Sequence, residues 1–347
     1  AAAAWRSPWC RELCRTLYIN SATGEEDLDQ AQDPLMAGAA PEEGERLPKP
    51  DWPCVPRALA CHPDRRHLAV GDKQGNLRIY DLRRMALREI VAAHDAEVLT
   101  LDYSPPMAAG GSQPALPSYA AARRASGPGA RPAVLLASGS RDRLVHVFDA
   151  ADPRHPLQAT LENHASSVTA VRFAADGKRL VSTGGDKMLV FSHVDNKAVL
   201  RYKSVPVAQG TVYGLAACPA GKHLAACGQD RRLNVWSLNL ARHLRAHAPE
   251  GGGGGGGEMY RVALDPGGLY AATCAFDKWI RLFDFRRGGC VAKVTGHSEL
   301  VTGVRFTPDG RRLLSAGGDG CVFVWRLQGD LAERIRARAA EIAARML

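Results

Sequence analysis

Residues 296–327 read GHSELVTGVRFTPDGRRLLSAGGDGCVFVWRL, and their pattern decides the fold. Apolar residues alternate with polar ones in three short runs: Val301, Val304 and Phe306, then Leu313 and Leu314, then Val322 and Val324. Period-2 alternation puts one face of each run toward a core, which predicts strands. Between the runs, Pro308-Asp309-Gly310 and Gly317-Gly318-Asp319-Gly320 are tight-turn signals, since Gly adopts positive φ and Asp bonds its own backbone.

Four residues punctuate the stretch at fixed offsets: His297, Ser315, Asp319 and Trp325. Their spacing resembles the WD repeat, one blade of a β-propeller, whose implied relay runs from indole N–H through hydroxyl and imidazole to carboxylate. An isolated hairpin cannot bury both faces, and a buried Asp or His is costly without partners, so one such unit implies several. The pattern Asp-x-x-apolar-x-apolar-aromatic recurs at Asp142 with Phe148, Asp230 with Trp236, Asp277 with Phe283 and Asp319 with Trp325. Asp186 fits with Ser192 in the aromatic place, and the first copy has Gln74 with Tyr80. The Asp-to-Asp steps are 44, 44, 47 and 42 residues, with 68 from Gln74 to Asp142. Periods near 40–45 with four strands each predict an all-β, WD-type propeller of six visible repeats and six or seven blades.

The chain of 347 residues, 46% hydrophobic, is long enough for one large repeat-built domain. A net charge of +9, from 45 basic and 36 acidic residues, reads as a solvated basic surface rather than a nucleic-acid groove. Nine scattered cysteines match no zinc framework, and Cys227 and Cys274, each three residues before a repeat Asp, read as small buried residues of a reducing, cytoplasmic compartment. No apolar run approaches a membrane span.

In chain order, residues 1–20 are expected to supply an outer strand near Leu17–Ile19, and 21–54 an acidic Pro/Gly/Ala-rich loop. The propeller occupies 55–327, with a Pro/Ala/Gly/Ser-rich insert at 105–132 and a glycine run at 251–257, both in loops that tolerate length. The N-terminal strand either completes the last blade, giving six, or belongs to an incomplete further blade, giving seven; the start at Ala1 favours the second. Residues 330–347 carry Leu331, Ile335, Ala339, Ile342 and Met346 at helical spacing, an amphipathic helix that docks on the propeller or begins a longer helical region.

The relay positions are unevenly filled. His94, Ser138 and Asp142 stand in the second blade, and His164, Ser182 and Asp186 in the third; Asp230 and Trp236 remain in the fourth, and Thr273 and Asp277 in the fifth. The complete set in the last blade is expected to make it the most rigid, and blades four and five to lean on apolar packing. Each His recurs at one repeat position and none pairs at metal spacing, so these residues read as structural rather than catalytic or metal-binding. With no GxSxG, Walker loop or HExxH present, no enzyme and no cofactor are expected.

The wording of the repeats is more specific. GDKQGNLRI at 71–79, AHDAEVL at 93–99, SRDRLVH at 140–146, GHSELVTG at 296–303 and CVFVW at 321–325 together resemble the second propeller of the mitogen-activated protein kinase-binding protein 1 family, to which a microcephaly-associated spindle-pole WD-repeat protein is closely related. That resemblance implies a non-enzymatic scaffold in kinase signalling or at centrosomes, spindle poles or ciliary bases, with protein partners from those settings and no small-molecule substrate. The residue before each repeat Asp and those after the His are expected on one narrow face: Lys73, Arg141, Gln229 and Phe276, with Glu97, Ser166 and Glu299. Phe276 is the sharpest candidate anchor there, unless it tucks against Gly-rich turns. Two other readings stand beside this one. Tyr80-Asp81-Leu82-Arg83 and Phe283-Asp284-Phe285-Arg286 look like the motif of substrate receptors for cullin-type ubiquitin ligases. The net positive charge suits a microtubule- or axoneme-associated protein with tubulin as partner.

Overall fold

A computed structural model describes residues 10–18 (backbone pairing only), 55–108, 118–126, 131–195, 198–207, 210–249 and 257–346. The acidic segment 21–54 and residues 251–256 of the glycine run lie outside the described residues.

The strands form six four-stranded antiparallel sheets, each a blade. Blade one is β2 (Pro56–Cys61), β3 (His67–Asp72), β4 (Asn76–Asp81) and β5 (Ala86–Ala92). Blade two is β6 (Val98–Tyr103), β7 (Leu135–Ser140), β8 (Val145–Asp149) and β9 (Leu157–Leu161). Blade three is β10 (Val168–Phe173), β11 (Arg179–Gly184), β12 (Met188–Asp195) and β13 (Ala198–Pro206). Blade four is β14 (Val212–Ala217), β15 (His223–Gly228), β16 (Leu233–Ser237) and β17 (Arg242–His247). Blade five is β18 (Met259–Leu264), β19 (Tyr270–Ala275), β20 (Ile280–Asp284) and β21 (Cys290–Val294). Blade six is β22 (Val301–Phe306), β23 (Arg312–Gly317) and β24 (Cys321–Leu327), joined by β1 (Cys10–Tyr18) as its outer strand.

Strand β1 pairs antiparallel with β24, from Cys10 against Leu327 to Tyr18 against Cys321. Of the two expected arrangements, the first is the one observed: the N-terminal strand completes the sixth blade and covers an outer edge that would otherwise present unpaired backbone.

Inner strands of consecutive blades lie side by side at five junctions, β2 to β6, β6 to β10, β10 to β14, β14 to β18 and β18 to β22. An apolar cluster fills each of these junctions. Among the described residues no comparable approach joins β22 back to β2. Leu59 of β2 occupies the repeat position of Leu101, Val171, Leu215, Val262 and Val304; those five are buried, whereas Leu59 is 59% exposed. On the facing side, Leu314, Ala316, Val322 and Val324 are partly exposed, although their counterparts in the other blades are buried. Gly303 tells the same story, since a Cβ there would meet only Ala316 at 3.8 Å, while one on Gly214, at the same repeat position, would meet Arg261 backbone at 3.0 Å.

Two helices decorate the ring. Within the insert, α1 (Tyr119–Ala125) starts from Ser118, whose side chain accepts from the Ala121 N–H at 3.2 Å. Helix α2 (Gly329–Met346) follows β24 and buries Leu331, Ala332 and Ile335 into the cluster between blades five and six. Of the two sequence expectations for it, docking on the propeller is the arrangement observed. No helix of the described residues is long and apolar enough to cross a membrane.

Candidate functional site: one end of the ring

In each blade the residue before the repeat Asp, or its equivalent, donates its backbone N–H to a carbonyl at the start of that blade's inner strand. The pairs are Lys73 to Val55, Arg141 to Glu97, Gly185 to Ser167, Gln229 to Thr211, Phe276 to Glu258 and Gly318 to Leu300, at 2.8–3.0 Å. This repeated bond sets Lys73, Arg141, Gln229 and Phe276 on one rim of the ring. Ser166 and Glu299 adjoin it: the Ser166 hydroxyl faces Gly185, and the Glu299 side chain faces Gly318.

Behind the rim lies the polar framework. Nδ1 of His94, His164 and His297 stands 2.8, 3.0 and 3.0 Å from the carboxylates of Asp142, Asp186 and Asp319. Their Nε2 atoms stand 2.7, 2.8 and 2.8 Å from the hydroxyls of Ser138, Ser182 and Ser315. In blade six the Trp325 indole donates to Ser315 Oγ at 2.8 Å. Burial pushes the Asp319 carboxyl up, but the Cys321 amide, the His297 ring and the Ser298 amide outweigh it and hold it below the ordinary carboxylate range. At His94 burial lowers the ring's basicity and wins over the attraction of Asp142.

Where the His is missing, a different residue serves the Asp. Asn234 Nδ2 donates to Asp230 at 2.6 Å, and both Arg281 guanidinium nitrogens bond Asp277, one of them at 3.0 Å. Both donors stand four residues after their Asp. Blades four and five thus keep a side-chain contact to the Asp alongside their apolar packing. In blades two and six, where the His is present, the same position holds His146, whose ring centroid is 4.3 Å from that of His94, and Phe323, stacked on His297 at 4.3 Å; in blade three it holds the buried Val190. The hydroxyl relay is broken in these two blades: the Trp236 Nε1 and Thr273 Oγ1 atoms are buried without a partner.

In blade one the residue that matters is Asp72, not Gln74. Fully buried, it accepts from the backbone of Gln74 and Asn76 and from Arg78 Nε at 3.1 Å. Arg78 stands four residues after Gln74, where Arg281 stands after Asp277, so the arginine was the available signal.

On the rim Phe276 is 46% exposed. Rather than tucking under glycine turns, it sits edge-on to Tyr260 at 5.7 Å and Tyr213 at 6.4 Å, and the Arg261 guanidinium lies 5.0 Å over the Tyr260 ring. The tyrosines occupy the second position of the inner strands in blades four and five, a recurrence visible in the sequence but not singled out. A second grouping joins blades one and two: Glu97 pairs with Arg141 at 3.0 Å and with Arg57 at 3.1 Å. The aromatic-Asp-x-Arg copies are turn caps, with Asp81 accepting from the Arg83 and Arg84 amides and Asp284 from those of Arg286 and Arg287. Cys227 and Cys274 are fully buried, and burial pushes the Cys274 thiol up to about 12, so both are inert packing groups.

Six four-stranded blades, three of them stapled by His–Asp and Ser–His pairs at repeat positions, define a WD-repeat β-propeller. Residues 156–191, 202–237 and 288–326 match the family model described as WD domain, G-beta repeat. Over 336 residues, 95% of its length, the chain is 35% identical to WD repeat-containing protein 62 of Mus musculus, of which it covers 20%. It is 38% identical over 295 residues, 83% of its length, to mitogen-activated protein kinase-binding protein 1 of Homo sapiens, covering 18% of it. The chain thus spans about a fifth of the length of these relatives. Among solved structures, a chain of a mitotic checkpoint complex matches with a TM-score of 0.61 at 20% identity, over 79% of this chain and 75% of that one, a likeness of fold alone.

Proposed function

We propose that this propeller is a non-enzymatic protein-interaction module of a WD-repeat scaffold, and that its partner binds the rim around Phe276. The observation carrying this reading is an aromatic nearly half exposed among two tyrosines, at a rim held in place by backbone bonds in every blade. Exposed aromatic anchors flanked by arginine are the usual source of binding energy at protein interfaces. The similarity to a protein named for binding a mitogen-activated protein kinase supports a place in kinase signalling. Within this proposal the module works in the cytoplasm, at centrosomes, spindle poles or ciliary bases. The test is a pull-down from lysate with Phe276→Ala combined with Arg141→Glu, neither of which touches the core. Loss of partners with an unchanged melting temperature is expected; an unchanged partner set in a folded variant would sink the proposal.

A further inference from the structure

Away from the rim, a cavity of about 1320 Å³ opens between the β2–β3 turn of blade one, the β8–β9 turn of blade two and the insert helix α1. Six arginines line it: Arg65, Arg66 and Arg88 from blade one, Arg123 and Arg124 from α1, and Arg131 from the end of the insert. One carboxylate, Asp64, is their only acidic company among the lining residues, and it is already engaged by the Arg66 amide at 2.7 Å and the His67 ring at 2.8 Å. Glu89 nearby is taken by His155 at 2.8 Å. Among the described residues no carboxylate lies within ion-pair distance of any of the six guanidinium groups. Among the described residues Arg88 is turned to the His67 ring at 2.9 Å and Arg131 to the Ala151 carbonyl at 3.2 Å, contacts that use only one of each guanidinium's nitrogens.

A second observation at the same place is independent of charge. His62, 6% exposed, lines the cavity with its Nε2 buried and without a hydrogen-bond partner. Its Nδ1 lies 2.9 Å from the Asp64 carboxylate and 3.1 Å from the Asp64 amide nitrogen, which leaves Nε2 as the ring nitrogen without a partner. A buried polar atom left without a partner is unfavourable, and a hydrogen-bonding group of a ligand arriving there would satisfy it. The ring is fixed edge-on between Tyr103 at 5.0 Å and Tyr119 at 5.6 Å, so α1 itself contributes a wall.

We propose that this cavity binds phosphate-monoester groups, presented by a phosphorylated segment of a partner polypeptide. Guanidinium groups match phosphate oxygens in paired hydrogen bonds and keep their charge at any physiological pH, and clustered arginines are the usual receptors for phosphorylated motifs. The volume exceeds what one phosphate fills and suits a phosphorylated side chain with its neighbours. The inference does not depend on the rim reading, which concerns the other end of the blades.

The test uses fluorescence anisotropy at physiological salt with the whole chain and a labelled doubly phosphorylated serine peptide. Its unphosphorylated twin, inositol hexakisphosphate and a single-stranded oligonucleotide serve as comparisons. Binding of the phosphorylated peptide at least about tenfold tighter than the twin is expected, and an equal loss in R123E/R124E, on α1, and in R66E/R88E, on the opposite wall. R141E, on the rim, is expected to leave it unchanged. Binding of inositol hexakisphosphate alone, lost in the same two variants, would support the phosphate site with a soluble ligand as its source. Three results overturn the proposal: the oligonucleotide binding as tightly as the peptide, no phosphate dependence, or full binding by a folded double variant.

Discussion

The junction between blades one and two and the one between blades six and one are built from the same repeat positions and end in opposite states. At the first, Leu101 is 3% exposed against Ala69, Leu77 and Ile79; at the second, Leu59, its repeat equivalent, is 59% exposed. A repeat sequence specifies which faces are apolar, but burial depends on whether a neighbouring blade arrives. Blade six makes the point sharply. It has the only complete relay from Trp325 through Ser315 and His297 to Asp319 among the described residues, and it is also the blade whose forward face lacks cover. Side-chain hydrogen bonds organise a blade from within; they do not secure it to the next.

The largest expected effect tests this contrast directly. Leu101→Ala should cost about 2–5 kcal/mol of unfolding free energy in urea, the range for deleting a core leucine. Leu59→Ala should cost well under about 1 kcal/mol, because little of its surface leaves water on folding. Equal losses would mean that blades six and one meet in solution.

Smaller in energy but local in consequence is Asp319→Ala. It deprives the His297 ring and the amides of Ser298 and Cys321 of their acceptor, which should cost about 1–3 kcal/mol. With blade six covered on one face, the rise in hydrogen exchange should be confined to β22–β24; protection unchanged there, or lost uniformly around the ring, would contradict this.

The least perturbing probe changes no residue. Cys61, exposed at the end of β2, should react with a maleimide in the native state, whereas Cys227 and Cys274 should react only on unfolding, as peptide mapping by mass spectrometry would show. Rapid labelling of Cys274 in folded protein would show the junction between blades five and six opening as well.

Much of this architecture was legible in the residues. The spacing of Asp142, Asp186, Asp230, Asp277 and Asp319 carries the blade period, and the turns are written in Asp and Gly, so local chemistry sufficed. Three features were not readable, each for a physical reason. Leu59 looks like Leu101 in sequence because closure is a property of the ring. Asp72 escaped notice because its side chain reaches from two residues upstream of the expected position, through Arg78. The insert's Pro and Gly content suggested a loop, while Ser118 and the run YAAARRA hold a cap and good helix formers within it. On the rim, Phe276 and the repeat positions of Tyr213 and Tyr260 are legible, but their clustering is not, since the three residues come from separate strands and turns that only the assembled blades bring together.

Helix α2 adds a mechanical consequence. Ile335 lies against the β22–β23 turn so closely that a Cβ on Gly310, whose φ is +65°, would stand 2.6 Å from Ile335 Cγ2, and its carbonyl abuts Gly267 of blade five. A pull on the far end of the helix therefore meets this contact before it reaches β24. Tension arriving along the helix is therefore shared as shear between blades five and six instead of peeling one strand at a time, and it does not pass through the open junction on the opposite face of blade six.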